Sequence, residues 1–298
     1  MRNKRIIGAI AGLTVAGFAL TACNSGSPGD TGGDGGDAGS DMAWEVASDV
    51  SLDGSPTFDA MVERDGVVVG VKNDQPGLGM EDAASGERSG FDVDIARWIA
   101  ASLGFEESQI EYVTIPSANR EQELVNGNID YYVGTYSITD ERKEVIDFAG
   151  PYFITGQGLM VAADNDDING PDDLAGKIVC SVTGSTPLQR IRDEYNPGDT
   201  VEYDTYSQCV EQLKAGSVDA ITTDEAILAG YVAQEPDALK IAGEPFSEER
   251  YGVGLPKGDT ALLDHINTLF TDGGDIWTAI FDANLAESGI SGEQPAVD

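Results

Sequence analysis

The sequence predicts an α/β protein of two lobes with a ligand cleft between them. Three observations carry that expectation. Residues 67–133 alternate strand, helix, strand, helix and strand; residues 158–232 repeat the alternation; and 298 residues with 41% hydrophobic content suffice for two cores. Such series build parallel sheets with crossover helices, and open α/β sheets bind ligands at the carboxyl ends of their strands.

The elements follow in order. Val67–Val71 is a β-branched strand that ends in the turn Asn73 to Gly79. Phe91–Leu103 carries apolar residues at helical spacing, with Gly104 as its stop. Ile110–Ile115 reads as a strand, Asn119–Asn126 as a short helix stopped by Gly127, and Ile129–Val133 as a strand. In the second series Gly158–Ala162 is strand-like, Gly170–Leu174 a helix start, and Lys177–Val182 a strand. Pro187–Tyr195 is a helix with its proline in the tolerated first turn. Val201–Tyr203 and Ala220–Thr223 read as strands, Tyr206–Ala215 and Glu225–Val232 as helices.

The N-terminus reads as an address. Arg2, Lys4 and Arg5 precede an uncharged apolar run to Ala22, the layout of a secretory signal. Leu20-Thr21-Ala22-Cys23 resembles the bacterial lipobox, which implies cleavage after residue 22, lipidation of Cys23 and a membrane anchor. Residues 23–41 are rich in Gly, Ser and Asp, so they form a flexible tether. An exported compartment permits disulfides. A bridge between Cys180 and Cys209 is the first reading; two free core thiols come second.

With 17 basic against 53 acidic residues the chain has a net charge of −36, which excludes a nucleic-acid partner. Its one histidine, His265, lies in an apolar-periodic stretch and reads as structural. No metal site, cofactor motif or GxxxxGK[ST] loop is expected.

The segments Gly90–Ala96, Ser137–Lys143, Asp147–Tyr152, Asp219–Asp224 and Tyr251–Leu255 together resemble the family 3 extracellular solute-binding proteins, over residues 66–290. The turn Lys72–Gly79, with Cys180–Pro187 and Tyr203–Ser207, is similar to the glutamate-binding lipoproteins of actinobacteria. The resemblance implies a periplasmic-binding-protein type II-like fold, with lobe 1 at 66–154 plus 250–298 and lobe 2 at 155–249. It implies hinge crossings near Tyr152–Gly156 and Glu249–Gly252, and a helical stretch Ala261–Leu285 packed on lobe 1. It further implies a monomeric receptor for a free amino acid, closing around it and serving an ABC permease and its ATPase.

The same resemblance assigns the pocket. Arg142 sits at the carboxylate-clamp position, where a guanidinium offers two parallel hydrogen bonds. Thr135 and Ser137 supply contacts from lobe 1, and Ser185 and Thr186 from lobe 2. Asp224 accepts from the ligand ammonium, or caps the helix that follows it. Ser117 and Arg120 match the segment that holds a side-chain carboxylate in glutamate/aspartate receptors, with Lys72 or Gln75 assisting. Arg120 alternatively pairs with Glu123, and Arg142 with Glu141 or Asp147. Tyr136 is a candidate cleft residue and equally a core one. Gln75 and Ser117 stand where receptors for cationic or glutamine ligands often place aromatics, which disfavours lysine, arginine and histidine. Glutamate, with aspartate second, is therefore the expected ligand; glutamine or another polar amino acid is the alternative. A sensing lipoprotein and an enzyme on the same scaffold are competing readings. No paired catalytic carboxylates favour the enzyme.

Overall fold

The computed structural model describes residues 44–298. The signal segment 1–22, Cys23 and the tether lie outside the described residues. Ser55 starts helix α1 (Pro56–Arg64): its hydroxyl accepts from the Phe58 amide, and Pro56 fits the first turn. The valine strand β1 (Val67–Val71) follows, buried along most of its length. A small antiparallel sheet of β2 (Asp74–Gln75), β3 (Gly79–Glu81) and β4 (Arg88–Ser89) occupies the turn after it. Helix α2 (Phe91–Ser102) leads to β5 (Ile110–Thr114), α3 (Arg120–Val125), β6 (Tyr131–Tyr132) and α4 (Asp140–Lys143). The long strand β7 (Asp147–Thr155) is separated by Gly156 alone from β8 (Gln157–Ala162).

There the chain enters a second sheet. β9 (Ile178–Val182), α5 (Thr186–Glu194), β10 (Asp199–Tyr203), α6 (Tyr206–Lys214), β11 (Ala220–Asp224), α7 (Glu225–Gln234) and β12 (Leu239–Ala242) complete it. Residues 243–248 return the chain to β13 (Glu249–Leu255), and α8 (Thr260–Asp272) and α9 (Gly274–Asn284) follow. The sheet orders are β5-β1-β6-β13-β7 and β10-β9-β11-β8-β12. In each, the crossover-built strands run parallel, as the alternation requires, and one strand, β13 in the first sheet and β8 in the second, runs antiparallel to both its neighbours. The antiparallel strands arise because the chain passes between sheets without a crossover helix. The two connecting strands also pair with each other: Glu249 lies opposite Thr155 and Tyr251 opposite Phe153.

The stretch Ala261–Leu285 is helical, as two helices that meet at Gly273, where an added Cβ would lie 2.2 Å from the Trp98 ring. One expectation is corrected. The helix start at Gly170–Leu174 is a single 3-10 turn, Pro171–Leu174. Helix α9 packs on the first lobe, with Trp277 and Phe281 edge-on to Phe91 of α2. Cys180 of β9 and Cys209 of α6 form a disulfide with Cα atoms 5.7 Å apart. His265 Nε2 lies 3.0 Å from Ser102 Oγ, an anchoring contact between α8 and α2.

Candidate functional site: the cleft between the sheets

The carboxyl ends of β1 and β6 face those of β9 and β11 across a closed cleft. It encloses a cavity of about 10 Å³, room for a water and too little for an amino acid, so a ligand enters only when the lobes part. Ser117, Arg120, Thr135 and Ser137 line it from the first lobe; Ser185, Thr186 and Asp224 line it from the second. Pro187, Tyr206 and Ile227 complete the wall. A larger depression of about 770 Å³ opens outward at the mouth, bordered by Arg142, Glu121 and Thr186. The buried polar groups concentrate in the small cavity, which makes it the candidate site.

On the first lobe, Lys72 extends from the end of β1 and is buried, donating to Ser117 Oγ at 2.8 Å and to the Ile115 carbonyl at 3.3 Å. Burial first, then the charge of Arg120, brings its pKa down to about 7. Thr135 adopts φ +47, a region a β-branched residue enters only under constraint. Asp92 supplies that constraint: its Oδ2 accepts from the Thr135 amide at 2.9 Å, and its Oδ1 from Tyr152 at 2.8 Å. Complete burial pushes Asp92 up to about 6 despite those donors. The Thr135 hydroxyl in turn donates to Gln75 Oε1 at 3.1 Å, which fixes both side chains.

Arg120 is buried, with its guanidinium 4.0 Å from the centre of the Tyr136 ring and its Nε without a hydrogen-bond partner. It reaches the Gly184 carbonyl of the second lobe at 3.5 Å and lies nearest Glu121, not Glu123. Arg142 spans the lobes. It donates to the Ser137 carbonyl at 2.6 Å on its own side, and to Thr186 Oγ1 at 3.1 Å and the Gly184 carbonyl at 3.3 Å on the other. Its acidic neighbour is Glu121, at 3.1 Å, rather than Glu141 or Asp147. Burial, then Arg120, lowers its pKa to about 10, so it stays charged at neutral pH.

On the second lobe, Ser185 spends its hydroxyl on capping α5, accepting from the Leu188 amide at 3.2 Å. Asp224 stands at the cap position of α7 but makes no side-chain cap bond, so the capping alternative is set aside. Its Oδ2 accepts from Tyr251 at 2.7 Å, and its Oδ1 is buried without a partner. Burial and the neighbouring Glu249 charge raise its pKa. An unpaired buried carboxylate oxygen is costly and awaits a donor. Among the described residues no group of three or more His, Cys, Asp or Glu is placed to hold a metal ion.

All ten residues expected from the motifs thus fall in or around one cleft: seven on the cavity wall, Lys72 behind Ser117, Gln75 behind Thr135, and Arg142 at the mouth. Glu121, Asp92, Tyr206 and Tyr251 were missed as site residues. Glu121 had one readable signal, its position next to Arg120.

Residues 67–272 match the sequence pattern described as "Bacterial extracellular solute-binding proteins, family 3". The chain belongs to this family. Among relatives, the glutamate-binding protein GluB of Corynebacterium glutamicum is 40% identical, over 97% of this chain and 93% of GluB. The ABC transporter glutamine-binding protein GlnH of Bacillus subtilis is 39% identical, over 71% of this chain and 77% of GlnH. Among solved structures, a mutant of ArgBP from T. maritima superposes with a TM-score of 0.71 at 31% identity, covering 77% of this chain and 99% of ArgBP. The two sequence relatives carry names for differently charged ligands, glutamate and glutamine.

Proposed function

We propose that this protein is an extracytoplasmic receptor that captures glutamate, with aspartate as a weaker ligand, and delivers it to an ABC importer. The observation that carries the reading is the charge set of the cleft. Lys72, Arg120 and Arg142 converge on it, and Asp224 offers an unpaired oxygen. Glutamate has two carboxylates and one ammonium, and buried charges need partners. In this reading Arg142, with Ser137 and Thr186, holds the α-carboxylate; Asp224 accepts from the ammonium, with Thr135 beside it; and Arg120, Lys72 and Ser117 hold the side-chain carboxylate. The name carried by the Corynebacterium relative supports this assignment.

Closure about the paired strands β7 and β13 brings Arg142 against the Thr186 loop, so the bound ligand joins the lobes. Lipidated Cys23 and the acidic tether 23–41 hold the receptor, as a monomer, at the outer face of the membrane. Among the described residues no helix is long and apolar enough to cross a membrane.

The test is calorimetry on protein stripped of endogenous ligand by unfolding and refolding. Glutamate binding at least tenfold tighter than glutamine or arginine is expected. Preferred glutamine would keep the receptor and remove Arg120 and Lys72 from ligand contact. Heat from none of the four, aspartate included, would contradict the receptor reading.

A further inference from the structure

Glu121 follows Arg120 on α3 and reaches over to Arg142. Its Oε1 lies 3.1 Å from Arg142 Nε and 3.8 Å from Arg120 Nε. The two guanidiniums sit 4.0 and 5.0 Å from the centre of one ring, that of Tyr136. Two buried cations on one aromatic ring repel each other, and the charge of Arg120 indeed disfavours protonated Arg142, while Glu121 opposes that effect. Glu121 itself is only partly covered, its side chain 28% exposed at the rim of the outward depression.

The contacts divide the work between the arginines. Arg142 is spent largely on protein acceptors: Ser137, Thr186, Gly184 and the flanking Glu121. Arg120 keeps its Nε unpartnered and lines the enclosed cavity. We propose that Glu121 sets the charge selectivity of the site, as a built-in counter-ion that compensates Arg142 and limits how strongly the cleft favours an anionic over a neutral side chain. Arg120 and Arg142 share the one carboxylate of Glu121. Without that charge the cleft gains one unit of positive charge, and the ligand's extra carboxylate is rewarded more strongly.

This inference rests on the glutamate-receptor reading. The experiment measures Kd for glutamate and for glutamine on wild-type, E121Q and E121D proteins, each stripped of ligand. Removing a unit charge at this range should raise the preference for glutamate over glutamine about tenfold in E121Q. E121D, which keeps the charge, should retain the wild-type preference. The E121Q gain should shrink in about 0.5 M salt, because Glu121 is partly solvated. If E121Q weakens both ligands equally, Glu121 only orients Arg142 and the inference is overturned; an unchanged or reduced preference overturns it as well. Wild-type protein that binds neither amino acid would instead overturn the receptor reading, before any variant is compared.

Discussion

The Tyr251 hydroxyl donates a 2.7 Å hydrogen bond to Asp224 Oδ2, tying the returning strand β13 of the first sheet to the end of β11 in the second. One carboxylate oxygen thus belongs to the junction of the lobes, and the other is buried without a partner. Tyr251→Phe should weaken glutamate roughly tenfold, since a hydrogen bond to a charged group contributes about 1.5–3 kcal/mol. Asp224→Asn should weaken glutamate further and spare glutarate, which has no ammonium. Competition titrations with both compounds check this.

Arg142 holds the lobes together through Thr186 and Gly184 while flanking the cavity. Arg142→Ala should abolish measurable binding, and Arg142→Lys should not restore it, because an ammonium lacks the planar fork. Retained micromolar affinity in the alanine variant would remove Arg142 from the site.

Lys72 links binding to protons. Its pKa falls to about 7 in the ligand-free cleft, so at pH 8 most of the population is neutral. A carboxylate beside it favours the ammonium, so glutamate binding at pH 8 should take up close to one proton. Calorimetry in two buffers of different ionisation enthalpy reads that number, and Lys72→Met should abolish the uptake. Affinity should decline as pH rises above 7. Stability of the ligand-free protein should move the other way. The unfolded chain keeps the Lys72 proton up to about 10.5, so folding becomes more favourable from pH 7 towards 10, a slope that Lys72→Met removes.

Asp74 makes a second junction, away from the cavity. Its Oδ2 accepts from the Ser207 amide at 3.1 Å, in the first turn of α6, and from Tyr231 at 3.2 Å. Asp74→Ala should weaken every ligand by a similar factor, about fivefold for one lost contact, without changing their order. That pattern separates a contact that favours closure from the selectivity change expected at Glu121.

The Cys180–Cys209 bridge closes a loop of 29 residues. Chain-entropy arguments assign such a loop roughly 3–4 kcal/mol of stability. Reduction should therefore lower the melting temperature while leaving the ligand preference intact.

The alternating strands and helices were legible because each is local: valines at β1, helical spacing in α2, glycine stops after both α2 and α3. The ten candidate residues were picked out by short motifs, and the structure places all of them in or around one cleft. Other features depend on distant partners. Residue 273 has to be a glycine because Trp98, far back in the chain, occupies the space a side chain would need. The ionic partner of Arg142 is Glu121, twenty-one positions away, and no local pairing rule points to it. Capping a helix is the local alternative for Asp224; the bond from Tyr251, in the other lobe, fixes where one of its oxygens goes. Strands β7 and β13 carry Gly150, Pro151 and Gly252, which blur the alternation of a strand.

The most direct test of the account is a crystal structure of the protein with bound glutamate. The account predicts an opened cavity with the α-carboxylate at Arg142 and Thr186, the ammonium on Asp224 Oδ1, and the side-chain carboxylate at Arg120 and Lys72. Glutamate seated elsewhere, or with its side chain directed away from Arg120, would contradict it.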